Sequence, residues 1–152
     1  MYRRILVAVD GSDISTRALE EALRLCKDQH AQVRIVHAVD LVPSVDEGYV
    51  DFDAYEREEL EKGQAILNRA VAVARGAGVE PESSLVEVCK RRISTAIVDE
   101  AKRWEADLIV MGTHGRSGLT QLLLGSVTEG VVRSGLTPVL LVRAAAAALQ
   151  SE

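Results

Sequence analysis

Apolar residues are gathered into five short blocks, and longer stretches with helical spacing separate them. The first block, residues 2–9 (YRRILVAV), is nearly continuous from Ile5 onward, as expected of a strand covered on both faces. Residues 10–13 (DGSD) interrupt it with turn formers and offer a helix N-cap in Ser12 or Asp13. Ala18, Leu19, Ala22, Leu23, Leu25 and Cys26 then recur three and four apart, which predicts a helix to about Lys27 with one buried face. A second strand, residues 32–39 (QVRIVHAV), follows the Asp28-Gln29-His30 turn. The connection after it, residues 40–51, is longer than the usual ~4–6 residues and contains Pro43, Ser44 and Gly48, so it has the reach to close over a site.

A long helix is predicted from Phe52 to about Arg75, with Phe52, Tyr55, Leu60, Ile66, Leu67, Ala70, Val71 and Ala74 available to its buried stripe. Gly63 inside it costs ~1 kcal/mol relative to Ala unless another helix packs close there. Gly76-Ala77-Gly78 ends the helix. Residues 82–88 form the third strand, and Ser94 or Thr95 caps a helix with Ala96, Ile97, Ala101 and Trp104 on its inner side. The fourth strand is the run Leu108, Ile109, Val110, Met111; a helix from Gly125 to about Arg133 and a fifth strand, residues 138–142 (PVLLV), complete the pattern. Residues 1–143 read as one domain, and the tail 144–152 lacks amphipathic spacing and is expected to fray.

Alternation of this kind predicts an α/β fold: a single-domain, open, doubly wound, five-stranded parallel sheet with helices on both faces, Rossmann-like, in strand order 3-2-1-4-5. Ligands of such sheets bind beyond the carboxyl ends of the strands, where the strand order reverses. That crevice lies between strand one, ending near Asp10, and strand four, ending at Gly112.

Composition narrows the function. With 152 residues the chain can bury a core without disulfides, and its single Phe and Trp leave Val, Leu, Ile and Ala to build it. A net charge of −5 argues against general nucleic-acid binding. Eight acids and one Arg fall within residues 46–61, which reads as a solvated loop and helix face. No apolar run approaches the ~18 residues of a membrane span, and the first residues do not form a signal peptide, so the chain is expected in the cytoplasm without membrane attachment. Cys26 and Cys89 have no C-x-x-C partner, and both are expected to pack as small apolar side chains.

The chemistry concentrates in residues 106–128 (ADLIVMGTHGRSGLTQLLLGSVT). Gly112, Gly115 and Gly118 let a ligand approach the main chain, and consecutive amides there can form an anion-binding nest. Gly125-Ser126-Val127-Thr128 sits at a second helix start, where amides and a hydroxyl face outward. Turn-making alone would also explain the glycines. Asp10 reads either as a carboxylate ordering a metal on a bound phosphate or as a cap of the first helix region. His114 has no acid or Ser pairing legible in the sequence, so no catalytic residue is assigned. Arg116 reads as a phosphate ligand or as a solvent-facing side chain, and His37, inside a strand, as structural.

These residues resemble the universal stress protein family over nearly the whole chain: VAVDGS, HAV, ADLIVMGTHG, GSV and PVLLV stand in order. Its nucleotide-binding subgroup carries G-x-x-G-(nine residues)-G-[ST], matched by Gly112, Gly115, Gly125 and Ser126. The resemblance implies main-chain contacts from Ala38 and Val39 to adenine. It places Asp10, with main chain at Ala8 and near Met111 and Gly112, by the ribose and a phosphate-bound Mg²⁺ or Mn²⁺. Phosphates would be held by Gly112, Thr113, His114, Gly115, Arg116, Gly118, Gly125, Ser126 and Val127. It further implies an ATP-binding stress-response or signalling module, with at most slow hydrolysis or autophosphorylation, and a homodimer paired along the last strand from Pro138 to Arg143. AMP or cyclic AMP binding in the same pocket is an alternative. A second is an adenine-nucleotide alpha-hydrolase-like enzyme, to whose S-G-G-x-D-S loop VDGSD is loosely similar, with Val9-Asp10 in place of Ser-Gly. Lys90-Arg91-Arg92-Ile93 departs from the family's Gly/Pro-containing turn and reads as solvated charge or a partner contact.

Overall fold

Strand and helix alternate in the computed structural model, which describes residues 1–43, 51–114 and 124–144: β1 (Arg4–Ala8), α1 (Asp13–Gln29), β2 (Gln32–Asp40), α2 (Phe52–Gly76), β3 (Glu82–Val88), α3 (Ile93–Trp104), β4 (Leu108–Gly112), α4 (Ser126–Ser134) and β5 (Val139–Val142). The strands form one parallel sheet in the order β3-β2-β1-β4-β5, as the alternation predicts. Because strand side chains alternate between faces, the sheet has two cores. Ile5, Val7, Val33, Ile35 and Val110 meet α1 and α2 on one side. Leu6, Val36, Ile109 and Met111 meet α3 and α4 on the other. β4 is buried along its whole length, whereas every residue of the edge strand β5 is half-buried.

Local chemistry sets the helix ends. The Ser12 hydroxyl accepts the Ser15 amide at the start of α1, and His30 closes its last turn in the left-handed conformation, so α1 runs to Gln29 rather than stopping near Lys27. The Asp51 carboxylate accepts the Asp53 and Ala54 amides at the head of α2. Gly63 is explained by the sheet, not by a neighbouring helix: a Cβ there would lie 2.5 Å from Val39 Cγ2 and 3.1 Å from Leu85 Cδ1.

Three expectations are corrected. Neither Ser94 nor Thr95 caps α3; its N-cap is Arg92, with no side-chain bond, and the buried Ser94 packs against Gly130 of α4. Phe52 is 69% exposed, because the fully buried stripe of α2 begins only at Gly63. Cys26 is buried as expected, but Cys89 is exposed in the turn after β3. The tail beyond residue 144 and most of the long connection (44–50) lie outside the described residues.

Candidate functional site

β1 has β2 on one side and β4 on the other, so the chain's direction of travel across the sheet reverses around it. Beyond its carboxyl end the backbone turns sharply. The Val9 amide donates to Val36 O at 2.9 Å, and Gly11 takes φ 84°, a conformation that favours glycine. Asp10 is fixed within this turn: its carboxylate accepts the Ser12 amide at 2.9 Å, and its own amide donates to Ser15 Oγ at 3.2 Å. One Asp10 oxygen thus steadies the turn at the start of the first helix region, and the residue also lines the cavity.

Gly112 ends β4 where α1 comes closest. A Cβ at this position would collide with Cγ2 of Ile14 and stand 3.2 Å from His114 O. Helix packing alone thus requires this glycine, apart from any ligand. Thr113 then ties three segments together: its amide donates to Val142 O at 3.0 Å, its carbonyl accepts the Gly125 amide at 2.9 Å, and its hydroxyl lies 3.2 Å from His114 Nδ1. The buried Thr128 hydroxyl donates to Gly112 O at 2.8 Å, which clamps the first turn of α4 to the end of β4.

α4 begins with Gly125 as N-cap, so its cap residue brings no side chain to its first amides. The Glu129 amide is the first to find a carbonyl of its own helix, that of Gly125 at 2.9 Å. The preceding amides of Ser126, Val127 and Thr128 are therefore the orphan donors of a helix N-terminus, where the macrodipole favours an anion.

These elements enclose a cavity of about 280 Å³. Ala8 and Asp10 from the end of β1, Ala38 from β2, Met111, Gly112 and His114 from β4, and Gly125, Ser126 and Val127 from α4 all line it. Thr113 braces the site from outside the lining, and the Val39 side chain turns to the opposite face of the sheet, toward Gly63. Gly115, Arg116 and Gly118 lie outside the described residues. The structure adds Val9, Ser15, Val36, His37, Ile93, Ile97 and Thr128 to the lining. Ile93 and Ile97 form one wall from successive turns of α3, and in sequence a pocket wall of this kind is indistinguishable from core. His37 also has a bracing role, with Nδ1 2.7 Å from Val9 O.

The cavity is apolar toward the sheet and polar at its rim, the arrangement that suits a flat base with a charged substituent. No group of three or more His, Cys, Asp or Glu among the described residues is placed to hold a metal. A lone carboxylate such as Asp10 suits Mg²⁺ or Mn²⁺ only when phosphate oxygens supply further ligands. A larger open depression, about 640 Å³, lies between Arg4, His30, Gly78 and Trp104. It is formed at the amino ends of the strands, away from the switch point and from the α4 amides.

Comparison with known proteins gives one family. A model of the universal stress protein family matches residues 1–143. The universal stress protein MJ0531 of Methanocaldococcus jannaschii is 35% identical over 149 residues, covering 94% of this chain and 83% of its own. Among solved structures, a universal stress protein in complex with cAMP is 31% identical, with a TM-score of 0.70 and coverage of 93% and 97%. The universal stress protein from Archaeoglobus fulgidus in complex with dAMP is 27% identical, with a TM-score of 0.67 and coverage of 93% and 98%. In the described residues, no helix is long and apolar enough to cross a membrane.

Proposed function

From the premise that the chain belongs to the universal stress protein family, we propose that it is an ATP-binding module of the cytoplasm that couples adenine-nucleotide occupancy to a stress or signalling response. The observation that carries this reading is the cavity at the switch point, apolar below and rimmed by Asp10, Gly112 and the open amides of α4. Adenine enters against Ala38, Ile93 and Ile97, and the phosphates face Gly125, Ser126 and Val127, with Gly115, Arg116 and Gly118 assigned to them by motif spacing. Mg²⁺ or Mn²⁺ arrives with the phosphates beside Asp10. A homodimer forms along β5, whose half-buried residues leave an edge for a second copy. No catalytic residue is assigned: His114 shares a contact with Thr113, and the site offers amides and hydroxyls rather than an acid–base pair.

A second reading, AMP or cyclic AMP as the cellular ligand, is favoured by the relatives solved with cAMP and dAMP. Calorimetric titration of ATP, AMP and cyclic AMP, with and without Mg²⁺, separates the two. Ala38→Leu fills the cavity and Gly125→Val crowds the α4 amides, so both variants should lose binding while their unfolding transitions remain cooperative. Undiminished binding in both would remove the site assignment, and failure of the unaltered protein to bind any adenine nucleotide would remove the function.

A further inference from the structure

A second cleft, about 600 Å³, opens beside the nucleotide cavity and shares Ile93, Ser126 and Val127 with it. Its other walls carry Arg91 and Arg92 at the head of α3 and Arg133 on α4. The basic run thus lies against the candidate site rather than on a remote surface.

Its placement is electrostatically unfavourable for the isolated fold. Arg92 is the N-cap of α3, which has no side-chain cap and no acid in its first turn. Arginine there opposes the helix dipole, whose N-terminal end is positive. The uncapped head of α4 meets the same cleft. Two helix N-termini and three guanidinium groups therefore converge on one opening. Carboxylates answer two of the three and leave Arg92 open. Asp40 accepts the Val42 amide, and Glu129 is paired with Arg133 at 2.6 Å. Arg91 is held by Asp99 at 2.8 Å, while Arg92 has no ion-pair partner among the described residues. The Arg91 and Arg133 pairs are largely solvent-exposed, so each is cheap to exchange for a phosphate, which an Arg fork binds more strongly.

We propose that this cleft is a second anion subsite, and that the chain accepts an adenine nucleotide bearing an additional phosphate-containing arm. The inference rests on the nucleotide reading above and extends it. From Ser126 to Arg133 the α4 face covers about 10 Å, long enough for a phosphate chain rather than a single phosphate. The shared wall of Ile93, Ser126 and Val127 makes the arm continuous with the base-binding cavity, which favours a small two-armed nucleotide over a separate macromolecular ligand.

The test compares AMP with two probes, adenosine 3′,5′-bisphosphate and diadenosine tetraphosphate, by calorimetry on the unaltered protein and on Arg92→Ala and Arg92→Ala/Arg133→Ala. The bisphosphate presents its extra charge close to the ribose, and the tetraphosphate presents it along an extended chain, so the pair identifies which arm the cleft takes. At least one probe should bind about tenfold more tightly than AMP, as expected for a charged hydrogen-bonded contact. The double variant should remove that preference while leaving AMP affinity within about twofold, and the preference should shrink with added salt. Equal affinity for AMP and both probes would overturn the proposal, as would a preference that survives in the double variant. AMP affinity that falls as far as probe affinity would also overturn it, by placing the arginines in the primary pocket. If the unaltered protein binds neither AMP nor ATP, the nucleotide reading fails instead.

Discussion

Replacing Gly112 with Ala separates two explanations for a glycine that stands at the site. If Gly112 serves only the approach of a ligand, the free protein should tolerate a methyl group. The structure predicts otherwise, because the added Cβ would collide with Ile14 Cγ2 and stand 3.2 Å from His114 O. Cγ2 is bonded directly to a branched Cβ, so it has no flexible stem along which to retreat. Overpacking of this kind costs about 1–3 kcal/mol, equivalent to about 2–4 °C in Tm per kcal/mol for a domain of this size. Ile14→Ala removes the colliding methyl and carries its own cost for a half-buried side chain. The double variant should therefore be more stable than the sum of the single effects predicts, by roughly 1 kcal/mol or more. Urea unfolding of all four proteins without nucleotide measures the cycle. Strict additivity, or a Gly112→Ala variant as stable as the parent, would refute the packing argument and return the glycine to ligand approach alone.

Thr128→Val keeps the side-chain shape but removes the donor to Gly112 O. It should lower stability by about 1–2 kcal/mol in denaturant unfolding, while Thr128→Ser, which retains the hydroxyl, should preserve that hydrogen bond. Glu100 is buried and paired with Arg34 at 2.6 Å and Arg103 at 2.5 Å, at the end of α3 away from the cavity. Glu100→Ala should cost about 2–3 kcal/mol of stability by leaving Arg34 only its longer contact to Glu82 at 3.4 Å, yet leave nucleotide affinity unchanged in the same preparation. With a thiol reagent on the folded protein, the exposed Cys89 should react at once and Cys26 only on opening. Burial pushes the Cys26 thiol up, so its folded form holds the proton more tightly than the unfolded chain does. Its contribution is thus complete below the ordinary thiol range and is lost as pH rises through the folded value, a component of alkaline stability that Cys26→Ala should abolish.

The sequence patterns that proved readable were those set by burial of whole elements. Continuous runs such as Leu108, Ile109, Val110 and Met111 indicate strands covered on both faces, and the alternation of such runs with helices leaves few permitted topologies. Ser94 shows where local signals mislead: Ser and Thr are good N-caps, but the close contact with Gly130 took Ser94 into the interface between α3 and α4. The resemblance gives Ala38 and Val39 main-chain contacts, and the direction of their side chains is a separate matter. Adjacent residues point to opposite faces, so only Ala38 turns toward the cavity. Ile93 and Ile97 were unreadable as site residues because apolar spacing does not distinguish a packed core from the wall of a pocket. Thr128 offered only its closeness to Ser126, and its clamp on β4 depends on a tertiary contact.

The described part of the pocket is braced by hydrogen bonds within the protein, and this bears on what binding can accomplish. Thr113 joins β5 to the head of α4, Thr128 joins that helix to β4, and His37 braces the turn after β1. Ligand binding therefore loses little free energy to ordering these segments, which favours affinity. It also restricts where a nucleotide can alter the molecule. Rigid strands and clamped helix starts offer little movement, whereas the exposed ion pairs of Arg91 and Arg133 can exchange partners without disturbing the core. A response to occupancy is accordingly expected on the face where α3 meets α4. Hydrogen exchange with and without nucleotide should show its largest described change there rather than in β1 or β4.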